Sequence, residues 1–156
     1  MVAIGGAIGA LARFALGTYV GERMNTRFPY GTFFINMSGC FLIGLIMTVL
    51  TERTQLSPNW RYFIPIGFIG AYTTFSTFEY EALTSMQSGQ FAAAALNVIL
   101  SVTIGFFMVW LGMVAGQSTV KAFSLADKRP AVVSVLDAQE PAETTFAYSE
   151  QVAEAD

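Results

Sequence analysis

The sequence predicts an all-α membrane protein with four transmembrane helices, the third of them broken. Three observations carry this reading. The 156 residues are 54% hydrophobic and only 12% charged, whereas an ordinary soluble domain is about 25% charged, so lipid is a better solvent for this chain than water. Four apolar runs of about 20 residues, the length that crosses roughly 30 Å of hydrocarbon, fill residues 1–116 almost completely. Inside the third run, a string of glycine, threonine and aromatic residues interrupts what would otherwise be continuous helix.

The first span runs from about Val2 to Val20, the second from about Tyr30 to Thr51, the third from about Arg61 to Met86 and the fourth from about Phe91 to Gly116. Short polar breaks separate them, with Pro29, Pro58 and Gly89 where helices should stop. The first span does not read as a signal peptide: it has no basic leader, carries Arg13 at its middle and lacks a small-residue cleavage pattern. About one residue precedes it, which leaves room for a start further upstream.

Composition also excludes chemistries. With no histidine and one cysteine, Cys40, the chain has no means to build a His/Cys zinc site, a Ser-His-Asp or Cys-His unit, or an internal disulfide. An enzyme is therefore not expected. Residues 1–116 hold five arginines against four glutamates, a net of +1, while residues 117–156 hold three bases against seven acids, a net of −4. The acidic character belongs to the tail, and no basic stripe marks a nucleic-acid surface. With Pro130, Pro141 and few large apolar groups, residues 117–156 are expected to form a disordered acidic extension after a four-helix domain at 1–116. Leaving the tail aside, Arg53 and Arg61 on one side of the membrane face Arg23 and Arg27 on the other. The positive-inside rule then gives almost no direction, and insertion both ways round fits that balance.

Helical spacing sorts the polar groups onto faces. Gly5, Gly9, Arg13, Gly17 and Gly21 recur every four residues, a ridge suited to close helix packing in lipid. Arg13 must face protein or water, as a structural clamp or as an anion-attracting group. Thr32, Asn36, Cys40, Gly44 and Thr48 share a face of the second span. Two roles fit Asn36: glue between helices, or an amide donor presented to a passing anion. Asn97, Ser101 and Gly105 align similarly on the fourth span.

In the third span, Gly70 followed by Thr73 and Thr74 disfavours helix. The alternatives are an unwound turn lining a cavity, whose carbonyls could hold a cation, or a kink with hydroxyls bonded back to their own helix. Phe75 and Phe78, three apart, stand on one face. They serve either packing or, through the positive edge of the ring, a small anion. Glu79 and Glu81, near the span's end, suit a solvated exit or a pore.

Three strings carry a resemblance to a known family: Gly5-Gly6-Ala7-Ile8-Gly9-Ala10-Leu11-Ala12-Arg13-Phe14, Gly31-Thr32-Phe33-Phe34-Ile35-Asn36-Met37-Ser38-Gly39, and Gly67-Phe68-Ile69-Gly70-Ala71-Tyr72-Thr73-Thr74-Phe75-Ser76-Thr77-Phe78. Over roughly residues 4–116 the chain resembles the Fluc (CrcB) fluoride channels of bacteria. The resemblance implies a passive fluoride exporter in the inner membrane that limits fluoride toxicity, built as an antiparallel dual-topology homodimer with two pores and a central structural Na+. By motif position it implies Asn36, Phe75, Phe78 and Ser101 along the fluoride pathway, with Thr32 and Thr77 beside them. Backbone carbonyls of Gly70 and Thr73 are implied for the sodium. The tail is longer than the family pattern, and Asn97 and Gly105 depart from an aromatic and a hydroxyl expected at those places.

The competing reading is a small dual-topology, proton-coupled multidrug exporter. That chemistry wants a carboxylate deep in a span, and the spans offer only Glu79 and Glu81, near the end of the third.

Overall fold

The computed structural model describes residues 1–24, 27–52 and 57–139, and among them every regular element is helical. Helices α1 (Val2–Arg23) and α2 (Tyr30–Glu52) take up the first two apolar runs without interruption. The third run is assembled from pieces: α3 (Pro58–Arg61), a π-helical stretch Tyr62–Ile69, α4 (Gly70–Tyr72) and α5 (Phe75–Gln87). The fourth is α6 (Phe91–Gln139). Val2–Arg23, Tyr30–Glu52 and Phe91–Leu125 are each long and apolar enough to cross a membrane.

Hydropathy ends the fourth span at Gly116, yet α6 continues to Gln139. Hydropathy marks solubility in lipid, whereas a helix needs only backbone hydrogen bonds and adequate propensity, so the two ends need not coincide. Residues 117–139, expected as disordered extension, are thus helical. Residues 140–156 of that extension, and Arg53 of the charge balance, lie outside the described residues. The chain divides into two units, Met1–Val120 and Lys121–Asp156, and the contacts around the third run lie within the first.

Proline and glycine set the backbone of that unit. Pro65 has no N–H to give to the Arg61 carbonyl, and its ring would press on that oxygen. A wider i→i+5 turn relieves both problems, and the Gly70 N–H reaches back to the Pro65 carbonyl. α1 packs on this π-helical stretch and on α4 through two glycines: a Cβ at Gly5 would overlap the Phe63 carbonyl, and one at Gly9 the Phe68 carbonyl. The ridge is used unevenly, because Gly17 lies against Gly31 while Gly21 faces open space.

α2 and α6 meet just as closely. A Cβ at Gly44 would strike the Val109 carbonyl, and one at Gly112 the Phe41 carbonyl. Such contact keeps helices together in lipid, where burial of apolar surface supplies little drive. At the far end of α2, the Arg61 guanidinium donates to the Leu50 carbonyl at 2.8 Å and so ties off one carbonyl of the helix's last turns. Ile35, Leu50, Ile69, Tyr72, Phe78 and Ala94 are buried, so the core runs along α2, the third run and α6.

Between α4 and α5 the chain is extended at two residues, Thr73 (φ −79°, ψ 160°) and Thr74 (φ −150°, ψ 114°). Gly70, where the sequence suggests unwinding, is itself helical (φ −60°, ψ −34°). The extended pair falls instead on two β-branched residues, whose side chains fit extended backbone well.

Candidate functional site

The two extended threonines are held by side chains from outside and from just ahead. Asn36 on α2 pairs with Thr74 twice: its Oδ1 accepts the Thr74 N–H at 2.9 Å, and its Nδ2 donates to the Thr74 carbonyl at 3.0 Å. Thr74 Oγ1 then caps α5 by accepting the Thr77 N–H at 3.3 Å, while its hydroxyl donates to Thr77 Oγ1 at 2.9 Å. In a continuous helix, the Thr74 N–H would go to the Gly70 carbonyl and the Thr77 N–H to the Thr73 carbonyl. Both donors are diverted, so the carbonyls of Gly70 and Thr73 lose their helical partners.

A second clamp lies two residues earlier in the third run. Ser38 Oγ donates back to the Phe34 carbonyl at 2.8 Å, and its oxygen lies 2.7 Å from the Tyr72 hydroxyl. Ser38 has one hydroxyl hydrogen, so with that hydrogen on Phe34 the Tyr72 hydroxyl donates to Ser38. The Tyr72 ring stacks on Phe68, 5.7 Å between centroids and 6° between planes. The methyl of Thr73 sits where a Cβ on Gly39 would be. α2 therefore grips the third run at the extended pair and at the residue just before it.

Two cavities flank this grip. One, of about 420 Å³, is lined by Asn36, Cys40, Gly70, Thr73, Thr74, Phe75, Phe78 and Ser101, with apolar neighbours between them. The other, of about 570 Å³, is lined by Arg13, Thr32, Thr74, Thr77 and Glu81 among others. Thr74 borders both. Phe75 and Phe78 lie 5.8 Å apart with their planes tilted by 40°, but their surroundings differ: Phe78 is 8% exposed and Phe75 70% exposed. In the second cavity, Thr32 Oγ1 donates to Glu81 Oε1 at 2.8 Å, and Glu81 Oε2 is buried without a partner.

Of the residues singled out in the sequence, the first cavity gathers Asn36, Gly70, Thr73, Phe75, Phe78 and Ser101, and the second gathers Arg13, Thr32 and Thr77. Asn97 lines neither, although its neighbour one turn on, Ser101, lines the first. Glu79 is exposed. Sequence reasoning does not single out Thr74 as a site residue, nor Ser38 and Tyr72. For Thr74 a signal is present, since a threonine followed three residues later by another hydrogen-bonding residue, at the start of an apolar run, is a helix-start pattern. For the Ser38 and Tyr72 pair there is none, because 34 residues separate them.

A family model described as CrcB-like protein, camphor resistance (CrcB), matches residues 1–113. This chain belongs to the CrcB family. The protein named fluoride-specific ion channel FluC from Acidobacterium capsulatum is 60% identical over 119 residues, covering 76% of this chain and 95% of the relative. A protein of the same name from Solibacter usitatus is 50% identical over 112 residues, covering 72% and 92%. A third, from Geotalea daltonii, is 42% identical over 116 residues, covering 74% and 94%. All residues that line the two cavities fall inside the CrcB match.

Proposed function

We propose that this chain is a fluoride channel that lets the ion leave the cell passively across the cytoplasmic membrane. The observation that carries this is the first cavity: neutral donors and phenyl rings, with no fixed charge, collected around two extended residues in an apolar helical protein. Its relatives named for fluoride support the same reading.

The chemistry follows from the ion. Fluoride is small and tightly hydrated, so entry needs close donors that replace water. Asn36 has one amide hydrogen beyond the one used on Thr74, and Ser101, whose hydroxyl donates to Asn97, lines the same cavity. Phe75 and Phe78 line the same cavity, and on this reading the ion meets them through the positive edges of their rings. Conduction asks for sites strong enough to admit an ion and weak enough to release it, which neutral donors satisfy better than a guanidinium. Arg13 in the second cavity can draw anions toward the route, and Thr32 and Thr77 line that approach.

The same reading takes the extended Thr73 and Thr74 as a break in the third membrane span. A structural Na+ fits the donor set there: carbonyls of Gly70 and Thr73, freed from helical bonding, are hard oxygen ligands of the kind unwound membrane helices offer to sodium. Two carbonyls are few for one cation, and a second copy of the chain related by a two-fold axis would double them. The 70% exposure of Phe75, a ring that lines the cavity, supports the same assembly, in which a partner completes the pore wall. The near-even arginine placement suits an antiparallel pair. Sodium would screen and fix the carbonyls, leaving the anion path to amides, hydroxyls and rings.

Liposomes carrying the purified protein, loaded with equal fluoride and chloride, test this. Efflux of fluoride far ahead of chloride, with no proton gradient, is the expected result. Equal halide fluxes, or fluoride movement that needs a proton gradient, would overturn it. Protease access to the C-terminal end from both faces of the membrane checks the dual topology separately.

A further inference from the structure

One hydrogen bond shapes both carbonyls of the cation site described above. The Thr74 N–H goes to Asn36 Oδ1 at 2.9 Å instead of to the Gly70 carbonyl, its partner in a continuous helix, and so releases that carbonyl. The same bond sets the plane of the Thr73–Thr74 peptide. Across a trans peptide the C=O and the N–H point in opposite directions, so with the Thr74 N–H on Asn36 the Thr73 carbonyl is aimed away from Asn36. The rest of Thr73 is fixed by other groups: its N–H and its hydroxyl both donate to the Ile69 carbonyl at 3.0 Å, and its methyl sits against Gly39. What these contacts leave open is the rotation about ψ that turns the carbonyl, and Asn36 holds it at 160°. The other end of the same amide donates one hydrogen to the Thr74 carbonyl at 3.0 Å and keeps a second, at the wall of the first cavity.

We propose that the two ends of the Asn36 amide serve two different ions: Oδ1 is the positioning group for the cation site, releasing the Gly70 carbonyl and aiming that of Thr73, while the spare Nδ2 hydrogen serves the anion. The inference rests on the fluoride and sodium reading above and adds a linkage between its two sites. Without an acceptor at position 36, the Thr74 N–H returns to the Gly70 carbonyl and the Thr73–Thr74 peptide is free to turn, so both cation ligands are lost together. Linkage is reciprocal: a cation held by the two carbonyls favours the backbone that keeps Asn36 engaged, and thereby holds the amide still at the cavity wall. The peptide between Thr73 and Thr74 is the rigid unit that joins the sites, with its oxygen on the cation side and its N–H on Asn36.

The test titrates NaCl against the full-length protein purified in choline chloride, at constant ionic strength, and follows the unfolding temperature in detergent. Fluoride efflux from liposomes is measured on the same preparations. A bound cation stabilises the folded state by mass action, so the wild type should unfold at rising temperature as Na+ increases. Asn36→Asp keeps an oxygen that accepts the Thr74 N–H and adds negative charge near the carbonyls; its Na+ response should appear at the same or a lower concentration although its efflux falls. Asn36→Leu accepts nothing, and its response should move to about tenfold higher Na+ or more, within the usual range of coupling between sites. Asn36→Ala carries the same expectation and serves if the leucine variant does not fold. Tyr72→Phe loses the bond to Ser38 and leaves the Thr74 N–H alone, so it should unfold earlier while responding to the same Na+ concentration as the wild type. A wild-type Na+ response in Asn36→Leu or Asn36→Ala, or a lost response in Asn36→Asp, would overturn the linkage and leave the channel and its sodium in place. A wild type indifferent to Na+ would remove the sodium reading and the linkage with it, and absence of fluoride efflux from the wild type would remove the channel reading.

Discussion

Asn36 and Thr74 are joined like neighbouring strands of a sheet, with the asparagine amide standing in for a peptide group. One residue from α2 accepts the N–H and donates to the carbonyl of the same extended residue, at 2.9 and 3.0 Å. Extended backbone needs such partners wherever water does not supply them. The amide thus serves as glue and lines the cavity at once, and the two roles weighed for it in the sequence are not exclusive.

Asn36→Asp separates them. A carboxylate can accept the Thr74 N–H but cannot donate to the Thr74 carbonyl, and it turns an anion path negative. Fluoride efflux from liposomes should drop by about tenfold or more, the size of a lost hydrogen bond to a charged group. Unchanged efflux would remove Asn36 from the path.

Thr74→Val removes the oxygen that accepts the Thr77 N–H while keeping the side chain's shape. Loss of such a cap costs about 1 kcal/mol. The purified protein should unfold at a lower temperature, and Thr74→Ser should restore it. Equal stability of the valine and serine variants would show that the cap contributes nothing.

Glycines that look alike in sequence should differ sharply. Gly44→Val drives a side chain into the Val109 carbonyl, whereas Gly21→Ala enters open space. The first should fail to yield a folded, monodisperse protein by size-exclusion chromatography. The second should behave as wild type, and a well-folded Gly44→Val would refute the close α2 to α6 contact.

Phe75 and Phe78 should divide function from stability. Phe75 is 70% exposed and Phe78 8% exposed, so Phe75→Ile should leave unfolding nearly unchanged yet abolish fluoride efflux. Phe78→Ala should also lower the unfolding temperature, because it empties a packed site. Normal flux in Phe75→Ile would take that ring out of the pathway.

Glu81 tests the proton-coupled alternative. Glu81→Gln keeps an oxygen that can accept from the Thr32 hydroxyl but abolishes proton exchange. Fluoride efflux should persist in this variant and should be indifferent to a protonophore in both proteins. Efflux that needs a proton gradient and vanishes in Glu81→Gln would favour the exporter.

Much of this protein could be read from its residues in order. Low charge and four long apolar runs specify lipid-embedded helices because the cost of exposing an unpaired peptide group in hydrocarbon permits little else. The Gly70-to-Phe78 string marks the place where the third run departs from helix, since threonine pairs and glycine weaken a helix locally. These are short-range properties, carried by composition, spacing and propensity within one segment.

Other features were decided only when segments met. The extended residues are Thr73 and Thr74 rather than Gly70, because Asn36, 38 residues away, supplies partners to Thr74 and the threonine hydroxyl caps α5. Pro65 widens its stretch into a π-helix that α1 then packs upon. Tyr72 finds Ser38, Thr32 finds Glu81, and Asn97 is left with a buried donor and no partner. A sequence states which groups can donate and accept. Which of them meet, and which are left over, depends on how closely glycine-bearing helices can approach, and that distance exists only in three dimensions.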